Sequence, residues 1–489
     1  MLRCLNTEES KAFRDFFQDS GYTTQALQKR FGNSEIPQLQ LLKLFLAGIP
    51  LEPSRVNLLF RWFWIGTPVE TTTAVEFIPE HMLQLFLKAG VLIEEDGNLK
   101  STARISPFAQ YLILSDHAVS RTGKLGVDTV LWPNPTTLLC YHLSIQAPVD
   151  RTLDLCTGNG ILAVAAASHS GEVVATDLNP RARDYCLFNA ALNGIGNLEF
   201  REGSAFEPVQ GERFDLILVN APFFVTPSVR RVYSDNSMEL DGFCRSLVRE
   251  APEHLNENGY CQMIVEWVQV QGQPWRERLM EWFDGLGCDV QVLGHYMRTA
   301  ADYAMLRVQE FRDEMVGPED QAALTTEWQS YFAGNRVEEI YGGMIVLRKR
   351  KGRNWIRLEE LRTQIGRPIG ESLRRTFENR DVLETHASEE QLLTTRPVLP
   401  ESARLQKEFA ISHEGWKLTS VELHHTEGVP YALALQPQVA DFVALFDGKK
   451  TLGEVADRFA AALKVDAGLV RRDCCGIVRQ LADRGLIHL

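Results

Sequence analysis

The stretch LDLCTGNGILA, residues 153–163, decides the fold class of this chain. An apolar run ends at Cys156, Gly158 and Gly160 permit a tight turn, and a second apolar run follows at once. Because glycine has no Cβ, a loop of this kind lets the backbone approach a ligand closely. The stretch therefore predicts a strand, a ligand-binding loop and a helix, the opening unit of a doubly wound sheet.

The alternation of strands and helices continues to about residue 309. The predicted strands are RTLDLC, EVVATD, NLEFRE, FDLILV and YCQMIVEW. The predicted helices are ILAVAAASH, PRARDYCLFNAALN, residues 241–254 and PWRERLMEWFDGL. Strands that alternate with helices form parallel sheets covered on both faces. We therefore expect an α/β, Rossmann-like, doubly wound and mostly parallel sheet.

Smaller α+β modules are predicted on both sides of this sheet. EHMLQLFLKAGVLIEEDGNLKST predicts a helix followed by a hairpin, which is typical of winged helices, and QLQLLKLFLAG predicts a buried helix. VADFVALFDGKKTLGEVADRFAAAL and the residues after it predict three helices and an end strand. We place a helical, winged-helix-like N-terminal domain at 1–120 and the Rossmann-like domain at 121–310. A β-hairpin-containing extension with a basic patch is placed at 311–400, and a small winged-helix-like domain at 401–489.

Charge distribution argues against nucleic acid as the ligand of the central block. The chain carries a net charge of −13, and residues 126–309 hold 13 Arg, no Lys and 23 Asp and Glu. Phosphate groups are neutralised by Lys and Arg, so this block is a poor stand-alone polyanion binder. Residues 1–125 have equal numbers of both signs, 13 each, which favours protein contact over DNA binding for the N-terminal module.

The cysteines and the apolar segments indicate a cytoplasmic protein. The nine cysteines are scattered, without CxxC pairs or zinc spacing, so we expect reduced thiols and no metal. MLRCLNTEESKAF does not resemble a signal peptide. No apolar run reaches the roughly 18 residues that a membrane span needs, so we expect no membrane association.

Three polar features are predicted to meet at one crevice. Asp177 ends the second strand, where a carboxylate accepts hydrogen bonds from ribose hydroxyls of either NAD or S-adenosylmethionine. Asp154 lies inside the first strand, a position that is usually apolar in dinucleotide-binding proteins, and can meet a cationic ligand or orient the glycine loop. Asn220-Ala-Pro-Phe follows the fourth strand. The carboxyl ends of parallel strands share one edge of the sheet, so these groups are expected to converge there.

As a set, DLCTGNG, ATDLNP and FDLILVNAPF resemble the class I S-adenosylmethionine-dependent methyltransferases over about residues 125–309. They are similar above all to the branch with an Asn-Pro-Pro-Tyr/Phe motif, which includes release-factor glutamine, ribosomal-RNA guanine-N2 and adenine-N6 methyltransferases. The chain departs from that pattern at Cys156, Ser204 and Ala221. The resemblance implies a seven-stranded sheet, S-adenosyl-L-methionine as cofactor, and N-methyl transfer.

The resemblance also implies roles for individual residues. Asn220 and the peptide carbonyl that follows Ala221 would accept the two N–H groups of a planar nitrogen, and Pro222 and Phe223 would complete the catalytic motif. WPNPTTLL, residues 132–139, resembles the segment that caps the cofactor. The implied cofactor contacts are Thr136, Thr137, Asp154, Thr157, Gly158, Gly160, Asp177, Leu178, Ser204, Ala205 and Asn220. The residues expected at the substrate mouth are Phe224, Arg231, Tyr233 and Asp241.

Several acceptors remain open at this point. We favour a protein or peptide nitrogen because the central block is acidic and has no lysine. RNA, or DNA, is the alternative, bound through a patch of Arg348, Lys349, Arg350, Lys351, Arg353 and Arg357 around Trp355. A small natural product and a non-catalytic cofactor-sensing regulator are further alternatives. LFDGKKTLGEVA faintly resembles modules that capture leader peptides by strand addition.

Overall fold

The computed structural model describes residues 2–31, 54–117, 126–311, 315, 317–361 and 365–489. The chain divides into two compact units, one of residues 1–141 with 148–360 and the other of residues 142–147 with 361–489. The helix predicted for QLQLLKLFLAG lies outside the described residues.

The first unit begins with a helical module and two small sheets. Its helices are α1 (Thr7–Asp19), α2 (Thr24–Phe31), α3 (Arg55–Phe60, continued by a π-helical turn), α4 (Thr71–Phe77) and α5 (Glu80–Ala89). Its strands are β1 (Val69–Glu70), β2 (Leu92–Glu95), β3 (Asn98–Ser101), β4 (Arg104–Phe108) and β5 (Tyr111–Ser115). The predicted helix-and-hairpin series is confirmed by α5, β2 and β3, and β1 adds a third strand beside β3. The Phe13 and Phe17 rings pack in the core with Phe86.

The rest of the first unit is one large sheet. Its strands are β6 (Val149–Leu155), β7 (Ser170–Asp177), β8 (Leu198–Glu202), β9 (Phe214–Val219), β10 (Leu255–Val270), β11 (Cys288–Thr299), β12 (Val337–Lys349) and β13 (Ile356–Glu360). Their order is β13-β11-β12-β10-β9-β6-β7-β8. Only β12 runs antiparallel to its two neighbours. The doubly wound, mostly parallel fold is confirmed, with an eighth strand at the edge.

Helices connect these strands. They are α6 (Pro135–Leu143), α7 (Ile161–Ala166), α8 (Pro180–Leu192), α9 (Gly242–Glu250), α10 (Trp275–Phe283), α11 (Ala300–Glu310) and α12 (Pro318–Gly334). The four helices predicted between strands correspond to α7, α8, α9 and α10. In α10 the apolar side chains of Trp275, Leu279, Trp282 and Phe283 recur at helical spacing and are buried.

The hairpin predicted for YGGMIVLRKRKGRNWIRL is wrong. Its two strands are β12 and β13, and β11 lies between them, antiparallel to β12 and parallel to β13. The buried carboxylate of Asp289 on β11 contacts both segments, since it pairs with Arg348 at 2.8 Å and accepts the Trp355 N–H at 3.3 Å. The large sheet therefore runs on to residue 360, past the domain boundary predicted at residue 310.

Two asparagines of α8 join the N-terminal module to the large sheet. Asn189 Oδ1 accepts the Leu114 N–H at 2.8 Å, and its Nδ2 donates to the Leu114 carbonyl at 2.9 Å. Asn193 bonds Leu112 in the same two-way manner, at 3.0 and 2.8 Å. The edge of β5 is thereby satisfied by side chains one helical turn apart.

The second unit contains three described strands and five helices. They are α13 (Gly370–Thr385), α14 (Glu389–Leu392), β14 (Ala403–Ser412), β15 (Gly415–His425), β16 (Ala432–Ala434), α15 (Pro437–Val443), α16 (Leu452–Leu463) and α17 (Ala467–Asp483). The three predicted C-terminal helices are confirmed, whereas the predicted end strand is reduced to a bridge between Val398 and His488. In the described part of the chain, no helix combines the length and apolar character of a bilayer span.

We expect Asn189→Ala to lower the free energy of unfolding by about 2–4 kcal/mol, because Asn189 is fully buried and its loss leaves backbone groups of Leu114 unpaired. Urea unfolding measures this loss. Asn98→Ala, which removes one hydrogen bond within a turn, is the control and should cost at most about 0.5 kcal/mol. Equal losses in the two variants would contradict the role of Asn189 in joining the module to the sheet.

Candidate active site

A cavity of about 470 Å³ opens at the carboxyl ends of β6, β7, β8 and β9. Most of the sequence-predicted site residues line it: Thr136, Thr137, Thr157, Gly158, Asp177, Leu178, Ser204, Ala205, Asn220, Pro222, Phe223, Phe224 and Tyr233. Asp154, Gly160, Arg231 and Asp241 do not line it. The convergence expected from strand ends is therefore observed.

Asp154 lies beneath the glycine loop rather than on the cavity wall. Its side chain is buried, and Oδ2 accepts the Thr157 hydroxyl and, at 2.9 Å, the Ala163 N–H in α7. Burial raises the pKa of this carboxyl to about 7. Of the two roles considered for Asp154, these contacts fit the orientation of the loop.

Asp177 and the two glycines shape the floor of the cavity. The Gly158 N–H donates to Asp177 Oδ2 at 2.8 Å, and the Asn179 N–H donates to Oδ1 at 2.8 Å. Burial raises the pKa of Asp177. At Gly160 a Cβ would lie only 2.7 Å from the Cys186 sulfur, so this glycine serves the packing of the loop against α8.

Cys156 has a backbone conformation that favours glycine. Its φ is +60°, in the left-handed region that favours glycine. Ala205, on the same cavity, has φ of +45°. Burial raises the pKa of the Cys156 thiol well above its usual range. The loop therefore holds Cys156 in a strained backbone conformation.

Three asparagines that sequence reasoning missed hold the opposite wall. Asn134 Oδ1 accepts the backbone N–H groups of Thr136 and Thr137, both at 3.0 Å. The backbone N–H groups of Thr136 and Thr137, two of the implied cofactor contacts, are thus capped within the chain. Asn159 Nδ2 donates to the Leu131 carbonyl at 2.7 Å, and Asn179 Nδ2 donates to the Asp128 carbonyl at 2.8 Å. The signal was available, since each stands in a quoted motif: WPNP, GNG or DLNP.

The far side of the cavity is formed by the residues after β9. The side-chain amide of Asn220 lines it and has no hydrogen-bond partner among the described residues. The rings of Phe223 and Phe224 meet edge to face, with centroids 4.8 Å apart. Asn236, a further missed residue, donates from Nδ2 to the Pro222 carbonyl at 3.1 Å and to the Phe224 carbonyl at 3.4 Å. The loop is thus fixed while the amide of Asn220 remains available.

Arg231 and Asp241, expected at the substrate mouth, are engaged within the fold instead. The Arg231 guanidinium lies 4.1 Å from the centroid of the Phe311 ring. Asp241 accepts the Val268 N–H at 2.9 Å and pairs with Arg278 at 2.6 Å. Proximity to the Asn220 motif in sequence does not place a side chain on the cavity wall, because the direction of a side chain depends on contacts with residues distant in the chain.

A buried polar group supports Phe224 from behind. The guanidinium of Arg307 lies 3.7 Å from the centroid of the Phe224 ring. Glu266 accepts the hydroxyls of Tyr296 and Tyr303, and the Val225 N–H at 3.2 Å. Burial raises the pKa of Glu266 to about 7.

Residues 133–287 match the family model described as the methyltransferase small domain. Over this stretch the chain is similar to methyltransferases. The matched stretch carries the glycine loop, Asp177 and Asn220. Residues 374–489 match a domain of unknown function (DUF7782).

Curated relatives resemble this methyltransferase domain. The release factor glutamine methyltransferase of Xylella fastidiosa is 34% identical over 132 residues, which are 24% of this chain and 48% of the relative. The ribosomal protein uL3 glutamine methyltransferase of Bradyrhizobium diazoefficiens is 32% identical over 124 residues, 23% of this chain and 39% of the relative. The chain thus spans about half the length of these relatives or less.

A solved methyltransferase from Thiobacillus denitrificans, in complex with S-adenosyl-L-homocysteine, is also similar. It is 16% identical, and the alignment covers 46% of this chain and 94% of that one, with a TM-score of 0.27.

We expect Cys156→Gly to raise the free energy of unfolding by up to about 1 kcal/mol. A side chain in the left-handed region costs about 1–2 kcal/mol, and the greater entropy of unfolded glycine offsets part of the gain. The urea midpoint measures the change. Cys4→Gly makes the same substitution at an exposed position without positive φ and should destabilise. Destabilisation by both changes would contradict the strain at Cys156.

Asp154 also predicts a pH dependence. Its pKa of about 7 in the folded protein exceeds the value of about 3.9 in an unfolded chain, so the native state binds more protons between these values. The contribution of Asp154 to stability therefore falls as the pH rises from about 4 to 7. Between pH 5 and pH 8, Asp154→Asn should gain a few kcal/mol of unfolding free energy relative to the wild type. Parallel pH profiles in urea unfolding would contradict this assignment.

Proposed function

We propose that the protein transfers a methyl group from S-adenosylmethionine to a planar amide or amine nitrogen of a protein. The observation that carries this proposal is the unpartnered amide of Asn220 on the same cavity as Gly158 and Asp177. A sensor of the cofactor would not need such a hydrogen-bonding group beside two aromatic rings. Because the chain spans only part of the relatives' length, activity and acceptor both belong to the proposal.

The residues of the cavity fit the cofactor. Asp177 ends β7 with its carboxylate on the wall, suited to accept hydrogen bonds from ribose hydroxyls. A Cβ at Gly158 would meet nothing within 4 Å, so the loop leaves open space there. Among the described residues that line the cavity, the charged ones are Asp177 and Asp235. The Asp235 side chain is 1% exposed and faces Arg307 at 3.8 Å, so Asp177 is the carboxylate that favours a ligand with a positive charge.

The chain's own residues bind and orient the acceptor in this mechanism. The bound cofactor supplies a methyl group on a positively charged sulfur, already a strong electrophile. Asn220 Oδ1 accepts one N–H of the acceptor nitrogen, and the peptide carbonyl that follows Ala221 accepts the other. These bonds turn the nitrogen lone pair out of conjugation, while Phe223 packs on the planar group. Once the nitrogen carries the methyl group, it releases one of its two protons to water. Catalysis rests mainly on positioning.

A protein acceptor is supported over RNA by the charge of the wall. Among the described residues, no lysine or arginine lines the cavity. Val229 and Met238, which do line it, are 50% and 47% exposed and give the mouth an apolar rim. The two named relatives are glutamine methyltransferases of a release factor and a ribosomal protein. We therefore propose a side-chain amide as the acceptor.

The basic patch offers fewer free cations to RNA than its sequence predicts. Arg348 is 3% exposed and paired with Asp289. Lys349 Nζ donates to the carbonyls of Pro252 at 2.6 Å and Leu255 at 3.1 Å, and burial lowers its pKa.

A cytoplasmic location is part of the proposal and is supported by nine cysteines without disulfide bonds.

Asn220→Ala tests the proposal. Titration calorimetry with S-adenosylmethionine should give a Kd within about threefold of the wild type, while methyl transfer from tritiated cofactor into a cell lysate falls by about 100-fold or more. Asn335→Ala, which removes an asparagine that bonds only Tyr331 at the end of α12, is the control and should leave both unchanged. Full transfer by Asn220→Ala would sink the nitrogen-binding role.

The labelled lysate also identifies the acceptor class. Label released by protease supports a protein acceptor, whereas label released only by nuclease would replace it with RNA or DNA. Binding of NAD but not of S-adenosylmethionine to the purified protein would overturn the proposal as a whole.

A further inference from the structure

One carboxylate of the N-terminal module reaches the wall of the cofactor cavity. Asp116 directly follows β5, and its Oδ2 accepts the Val130 N–H at 2.8 Å. The Asp116 N–H donates in return to the Val130 carbonyl at 3.0 Å. Val130 lies in the stretch 129–132, all four residues of which line the cavity. The N-terminal module thus contacts the backbone of that wall.

Both oxygens of Asp116 are fully used. Oδ1 accepts Arg181 Nη2 at 2.6 Å and the Tyr185 hydroxyl at 2.7 Å. Oδ2 accepts Arg181 Nη1 at 2.8 Å in addition to the Val130 N–H. A carboxylate has about four acceptor sites, so these four donors fill them. In Asp116→Asn the side-chain NH2 group would face hydrogen-bond donors and would find no acceptor among them.

The ion pair alone does not account for this arrangement. The side chains of Asp116 and Arg181 are 18% and 41% exposed, and ion pairs of this exposure add little stability. What they provide is orientation, because Arg181 and Tyr185 belong to α8, which also carries Asn189. Asp116 thereby links β5, α8 and Val130 through a single group.

A second side chain of the N-terminal module supports the same wall. Arg104 is 4% exposed, and its guanidinium lies 3.8 Å from the ring centroid of Trp64 and 5.8 Å from that of Trp132. Trp132 lines the cavity. The wall 129–132 is therefore held by the N-terminal module at two points.

We infer that Asp116 is a positioning residue for cofactor binding, acting through Val130 on the wall at residues 129–132. The inference rests on the proposed function, since it takes S-adenosylmethionine as the ligand of the cavity. The N-terminal module would then stabilise one wall of the methyltransferase site. Without the carboxylate the wall loses the bond that fixes Val130 against α8.

Calorimetric titration of the full chain with S-adenosyl-L-homocysteine tests this role. Asp116→Asn should raise the Kd about tenfold or more at both 10 °C and 25 °C, while the circular dichroism spectrum stays that of the wild type. Asp116→Glu restores a carboxylate beside the same donors and should return the Kd to within about threefold of the wild type. This recovery separates positioning from a general loss of stability.

Glu172→Gln is the matched control. Glu172 pairs with Arg151 Nε at 2.8 Å within the large sheet, is more exposed than Asp116, at 45% against 18%, and does not line the cavity. Its Kd should remain within twofold of the wild type. Wild-type affinity in Asp116→Asn, equal losses in Asp116→Asn and Glu172→Gln, or no recovery in Asp116→Glu would overturn the inference. If the wild type itself binds neither S-adenosylmethionine nor its homocysteine product, the proposed function fails instead.

Discussion

The buried carboxylate of Asp154 is the contact on which the site depends. It ties the end of β6 to the first turn of α7 through the Thr157 hydroxyl and the Ala163 N–H. The glycine loop between them is thereby held in one conformation, with the Gly158 N–H directed at Asp177. A charge in this position is expensive, and burial accordingly raises the pKa of the carboxyl to about 7. The cavity floor is built on this one group.

The walls of the cavity are set by side chains that satisfy backbone groups. Asn134, Asn159 and Asn179 hold the segment before β6, and Asn236 holds the loop after β9. An amide suits this work because it donates and accepts at once, and irregular backbone beside a cavity leaves both kinds of group unpaired. Asn220 differs from these asparagines in that its amide has no hydrogen-bond partner among the described residues.

Much of this could be predicted from local patterns. The strands and helices of the large sheet follow from hydrophobic periodicity, and the convergence of Gly158, Asp177 and Asn220 follows from the common direction of parallel strands. The partner of a strand is a different matter. The segment ending at Arg348 and that beginning at Ile356 look like a hairpin in sequence, yet the strand β11 lies between them in the sheet. Arg231 and Asp241 were predicted at the substrate mouth but do not line the cavity, and the reason is the same: their partners are far away in the chain.

The amino-acid sequence by itself determined the class of fold and the chemical character of the site: a glycine loop, a carboxylate at a strand end, and an amide followed by aromatic rings. These are local properties, encoded within a few residues of one another. Only the tertiary structure decided which side chains face the cavity and which form contacts within the fold instead. That choice rests on hydrogen bonds between distant segments, such as Asp116 with Val130 and Asn189 with Leu114, and these become fixed only when the chain is packed.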